Sequence, residues 1–146
     1  TELLARQHAE NAALLLEPLD VRVAFLTGNV KAKGRGPLLD SLKNGTVNIV
    51  IGTHALFSHN VIYKNLQLAV IDEQHRFGVT QREAIVAKGR TSNGKYAHSP
   101  DLLMMSATPI PQSLALTVFG DLDVSSIHTM PSGRKEIKTY VKKEKD

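Results

Sequence analysis

The chain has 146 residues, 42% hydrophobic and 22% charged, an ordinary globular composition that excludes a fibrous repeat or a disordered polyelectrolyte and suits a single domain. It contains no cysteine, which excludes disulfides and thiolate metal sites, and no apolar run reaches the roughly 18 residues of a membrane span. The formal charge of +4 at pH 7 leans toward a polyanionic partner, because surplus Lys and Arg displace counterions from phosphates. Part of that surplus is a tail bearing Arg134, Lys135, Lys138, Lys142, Lys143 and Lys145, which also reads as a solvated end. The N-terminus shows no basic stretch followed by an apolar one and no small-residue cleavage site, so the expected location is cytoplasmic.

Ala5, Ala9, Ala12 and Leu16 recur at helical spacing and predict a first helix that Pro18 stops. Residues 21–26 form an apolar run rich in β-branched and aromatic side chains, a buried strand closed by Thr27 and Gly28. Pro37 suits the first turn of a second helix, Leu38, Leu39 and Leu42 supply its buried face, and Asn44-Gly45 ends it. A second strand is predicted over 48–52, then a loop with His54, Ser58, His59 and Asn60, then a third strand over 68–71 that runs into Asp72-Glu73. Thr80 and Glu83 have capping-box spacing and predict a helix from there to about Lys88. Residues 89–100 are polar and read as an exposed loop, 102–105 as a fourth strand, Leu114, Ala115 and Val118 as the face of another helix, and 124–128 as a short last strand. Strands joined through helices must run parallel, so the predicted class is α/β, a parallel sheet flanked by helices.

In an open parallel sheet, ligands bind beyond the carboxyl ends of the strands. Three polar groups occupy such ends. Asp72-Glu73-Gln74-His75 follows the third strand, and adjacent carboxylates allow one to hold Mg²⁺ through water while the other orients an attacking water. Ser106-Ala107-Thr108-Pro109 follows the fourth strand, with two hydroxyls able to bond a carboxylate or imidazole on the neighbouring tip. Gly52-Thr53-His54 follows the second, with a glycine that admits close backbone approach and two groups that could meet a phosphate. Each alone also fits an ordinary strand-to-helix turn. Lys31, Lys33 and Arg35 among glycines suit phosphate contact or a flexible solvated turn equally, and no histidine pair has metal-ligand spacing on a predicted helix, so the remaining histidines read as surface residues.

The run Ile71-Asp-Glu-Gln-His-Arg-Phe-Gly78 followed by Met105-Ser-Ala-Thr-Pro-Ile-Pro111 closely resembles the DExH and SAT motifs of superfamily-two helicases, in their RecG branch. Thr1 to Ala5, Leu26-Thr-Gly28 and Val50 to Leu56 resemble further segments of that family, and Gln74 favours this branch over the transcription-repair coupling factor, which tends to carry Glu there. The resemblance covers essentially the whole chain. It implies a RecA-like fold in which Asp72 binds Mg²⁺ through water and Glu73 acts catalytically on water. It further implies that Gln74, His75, Ser106 and Thr108 couple ATP to DNA, and that Gly28, Lys31, Lys33, Gly52, Thr53 and His54 face nucleic acid. Gln112-Ser113 departs from the Arg-Thr common in relatives.

No G-x-x-x-x-G-K-[ST] run occurs in the sequence, so the phosphate cradle is missing. The expectation is therefore an excerpt of a first RecA-like domain over 1–130 without its phosphate-loop strand and helix, with 131–146 a linker toward a second such domain. The parent would be an ATP- and Mg²⁺-dependent helicase acting on branched or forked DNA in recombination and repair. The chain alone would be inactive, without bound cofactor, and prone to self-association through exposed sheet edges. The rival expectation is a degenerate motor domain that binds DNA or protein without turnover.

Overall fold

The computed structural model describes residues 1–29, 32–73, 79–90, 99–107 and 123–129, with the single positions Gly133 and Tyr140. Thr1–Ala107 form one compact unit and Thr108–Asp146 a second. Of the second unit, residues 123–129 are exposed and without regular structure, Ile127 at 93% exposure. The strand expected over 124–128 is thus not formed: an apolar run this short makes a strand only where a neighbour accepts its hydrogen bonds. The helix expected around Leu114, Ala115 and Val118 lies outside the described residues.

In the first unit, α1 (Glu2–Leu16) is capped by Thr1, whose hydroxyl accepts from Leu4 N–H at 3.5 Å. Ala5 is buried and Ala9, Ala12 and Leu16 are half-buried, so the face marked by their spacing is the one that packs, against β1 (Val23–Leu26) and β2 (Ile49–Gly52). The helix ends where predicted, Pro18 falling in a 3-10 turn, Glu17–Leu19. The second helix, α2 (Ala32–Asn44), begins earlier than expected, and Pro37 lies inside it. The ring removes one donor, depriving only the Lys33 carbonyl of its partner, and Pro37 sits on the exposed side where water can supply a replacement. Lys33 and Arg35 therefore belong to a helix rather than to a flexible turn. Gly45, at φ 76°, closes α2 with its N–H on Leu42 O, a backbone conformation that a side chain would strain.

β1 and β2 pair in parallel, Leu26 opposite Gly52. β3 (Leu68–Ile71) and β4 (Asp101–Met104) form a second parallel pair, Ile71 opposite Met104. The four strands thus make two two-stranded ladders. α3 (Val79–Arg90) begins one residue before Thr80, so the expected capping box is not the start of the helix. It also runs through Gly89, which is buried, as is Pro100; residues 91–98 of the expected exposed loop lie outside the described residues.

The core is Leu26, Leu42, Ala55 and Val61, with Leu38, Leu39, Val47, Val50, Leu56 and Tyr63 packed around it. Ala69 and Ile71 turn one face of β3 inward, while Leu68, Val70 and Leu103 leave the other face of the second ladder uncovered. Among the described residues no helix is long and apolar enough to cross a membrane.

Candidate functional site

Parallel pairing sends the carboxyl ends of both strands of a ladder to the same edge. At the β3–β4 edge, Met105 N–H donates to Ile71 O at 2.8 Å, so Asp72-Glu73 and Ser106 leave adjacent strand tips. Asp72 keeps 43% side-chain exposure, and its Oδ1 accepts from Glu73 N–H at 2.8 Å. That bond bends the backbone sharply: Glu73 sits at φ 59°, in the left-handed region. Ser106 is half-buried. Gln74, His75 and Thr108, the other three coupling residues expected from the sequence, lie outside the described residues.

At the β1–β2 edge the glycine of Gly52-Thr53-His54 has a structural cause: a Cβ there would collide with the Leu26 carbonyl. Thr53 N–H then donates to that carbonyl at 3.3 Å, and a 3-10 turn over His54–Phe57 leaves His54 exposed and Ala55 buried. Across the ladder Thr27 is buried, its carbonyl accepting from Arg35 Nη1 at 3.4 Å. Gly28 is exposed with open space around its Cα, and Lys33 is exposed on α2; Lys31 lies outside the described residues. Gly28 and Thr53-His54 therefore share one edge.

Helix α1 reaches both edges. His8 Nε2 lies 3.7 Å from Asp72 Oδ2, and Glu2 Oε2 accepts from Asn29 Nδ2 at 2.8 Å, next to Gly28. The two contacts are six residues apart on the helix, about 9 Å along its axis. Arg6, paired with Glu2 at 3.6 Å, also stacks its guanidinium over Phe25 at 5.1 Å, fixing this face of α1 to β1. Sequence reasoning counted His8 among ordinary surface histidines. Its only local signal is a position on the first turns of an amphipathic helix, and the contact to Asp72 spans most of the unit. A shallow groove of about 460 Å³ lined by Ala13, Leu14, Glu17, Asp20, Val21 and Val23 lies at the amino end of β1, away from these tips.

Residues 1–117 match the model of the DEAD/DEAH box helicase family. The chain belongs to that family. Its sequence is 60% identical over 141 residues to the ATP-dependent DNA helicase RecG of Treponema pallidum and 51% identical over 140 residues to that of Bacillus subtilis. These matches cover 97% and 96% of this chain and 20% and 19% of the relatives, so the chain spans about a fifth of their length. A solved structure of RecG bound to a three-way DNA junction matches 94% of this chain at 40% identity with a TM-score of 0.69, over 17% of that protein. The parallel strands flanked by helices are those of a RecA-like helicase domain. In this chain the acid pair at the end of β3 and Ser106 after β4 leave neighbouring strands.

Proposed function

We propose that this chain forms part of the motor of an ATP-dependent DNA helicase that translocates on and remodels branched DNA in recombination and repair, working in the cytoplasm. The observation that carries the reading is the pairing of β3 with β4, which brings the acid pair and Ser106 to one edge. Similarity to RecG helicases, one of them solved on a three-way DNA junction, supports branched DNA as the partner.

The donor set suits Mg²⁺. Asp72 offers a partly exposed carboxylate with one oxygen held by Glu73 N–H, and no group of three or more His, Asp or Glu among the described residues encloses a cation. Mg²⁺ keeps most of its waters and takes one or two carboxylates plus phosphate oxygens, so a single exposed Asp is the right kind of ligand. Magnesium nucleotide, when bound, supplies the phosphoryl group and neutralises its developing charge. Asp72 would hold the hydrated metal, and Glu73 would accept a hydrogen bond from the attacking water and orient it. Gln74, His75, Ser106 and Thr108 relay nucleotide state toward Gly28, Lys31, Lys33, Gly52, Thr53 and His54, which face the DNA backbone. Residues 1–130 act as part of the first RecA-like domain and 131–146 as a linker.

The chain has no phosphate-binding glycine loop, so alone it turns over no ATP; its uncovered Leu68, Val70 and Leu103 let isolated copies associate. Two measurements test this. Mn²⁺ added in millimolar excess, as a weakly held paramagnetic probe of a lone carboxylate, should broaden the amide resonances of Asp72, Glu73 and Ser106, and the broadening should vanish in Asp72→Asn; broadening centred elsewhere contradicts the metal assignment. Phosphate release by the isolated chain with branched DNA should stay at background, and robust turnover would overturn the need for an external phosphate loop.

A further inference from the structure

The loop after β2 is held from two sides. Tyr63 Oη donates to Leu56 O at 3.1 Å from within the loop's own return. From α3, Lys88 Nζ donates to Ser58 O at 2.9 Å and to Val61 O at 2.7 Å. Lys88 lies three residues beyond the buried Ile85, so it shares the packed face of its helix. Its stem lies against the protein and its ammonium donates to two main-chain carbonyls. Burial pushes the Lys88 amine below its ordinary pKa, as expected for a cation withdrawn from water for a local purpose.

The carbonyls it holds bracket the exposed pair His59 and Asn60 and lie just past the exposed His54. His54, His59 and Asn60 point outward with hydrogen-bonding groups suited to phosphate and sugar oxygens, with Ile62 and Lys64 exposed further along, while the carbonyls of Ser58 and Val61, which would repel phosphate, are taken by Lys88. The cation does not itself present charge to a ligand; it fixes the loop that does the contacting. α3 is also the helix that follows the acid pair in the chain, so the same lysine ties that helix to the DNA-facing loop.

We infer that Lys88 is a positioning residue for DNA: by gripping Ser58 O and Val61 O it presents His54, His59 and Asn60 in the geometry that meets a nucleic-acid backbone. The inference rests on the reading of the β1–β2 edge as the DNA face. Loss of two charge-assisted hydrogen bonds frees the loop, and the expected weakening of binding is about five- to tenfold.

The test measures binding of a fluorescein-labelled three-way DNA junction to the whole chain by anisotropy over a series of salt concentrations, together with amide hydrogen exchange over residues 53–61. Lys88→Met should speed exchange in 53–61, raise Kd about five- to tenfold, and leave the slope of log K against log salt unchanged; Lys88→Arg, which keeps the donors, should stay within about twofold of the parent. Leu38→Ala, a packing change of the same core, serves as the control for lost stability and should not reproduce the binding loss. An unchanged Kd in Lys88→Met overturns the inference. A slope reduced by about one also overturns it, since that marks a direct phosphate contact. Equal loss in Leu38→Ala overturns it as well, reducing Lys88 to a stabilising contact. Absence of junction binding by the parent chain sinks the DNA-face reading itself, and the positioning role falls with it.

Discussion

Met105 donates its backbone N–H to the carbonyl of Ile71 at 2.8 Å, extending the β3–β4 ladder one bond past the last strand pair. Neighbouring strands lie about 4.8 Å apart, so the residues that follow, Asp72-Glu73 on one side and Ser106 on the other, emerge within a side chain's length of each other. Polar residues separated by more than thirty positions are thereby brought to one edge by one backbone hydrogen bond and the register it continues.

The same edge stores strain. Glu73 adopts φ 59° without being a glycine, so Glu73→Gly should be more stable than Glu73→Ala by about 1 kcal/mol, although both lack the carboxylate. Urea denaturation of the two variants checks this; equal midpoints, or a more stable alanine, would mean that the left-handed backbone costs nothing.

At Gly52 the first ladder leaves no room for a side chain. A methyl there collides with the Leu26 carbonyl, so Gly52→Ala should destabilise the unit by about 1–3 kcal/mol through forced backbone shifts. Chemical denaturation measures it, and a neutral result would show that β1 and β2 do not pair Leu26 with Gly52.

Leu26 is fully buried at 0% exposure, whereas Leu14 on α1 is 71% exposed. Leu26→Ala should lose about 3–5 kcal/mol to lost transfer and a cavity, and Leu14→Ala should change stability by less than about 0.5 kcal/mol. Similar losses at both positions would place α1 differently on the ladder.

Tyr63 is pushed up to about 12 by burial. Its folded pKa lies above the unfolded value of 10.0, so the folded state binds more protons between them. The contribution is therefore complete below the unfolded value and is lost as pH rises toward the folded one. Between about pH 8 and pH 11 the parent should lose about 1.4 kcal/mol more than Tyr63→Phe. Parallel stability profiles for the two proteins across that range would contradict a buried, neutral phenol.

Much of this arrangement is legible in the sequence. The strand over 68–71 is read to the residue because an apolar run is bounded by polar turns on both sides, and the packed face of α1 follows from the spacing of Ala5, Ala9, Ala12 and Leu16. Pro37 misled because proline marks a helix start on average, while an exposed interior proline deprives only one carbonyl of its partner. The run 124–128 misled for the opposite reason, since strand propensity needs a partner strand to act on. What the sequence withholds are the long-range polar contacts. His8 on Asp72, Glu2 on Asn29, and Lys88 on Ser58 and Val61 join residues distant in the chain, and no local pattern of charge or period announces them.

The measurement that bears most directly on the motor reading is DNA-stimulated phosphate release by Bacillus subtilis RecG in which the aligned stretch, 51% identical, is replaced by this chain. The graft should hydrolyse ATP faster in the presence of a three-way junction, and Glu73→Gln within it should slow hydrolysis by about a hundredfold or more while nucleotide still binds. A graft whose Glu73→Gln variant hydrolyses as fast as its parent would contradict the assignment of this strand tip as the hydrolytic site.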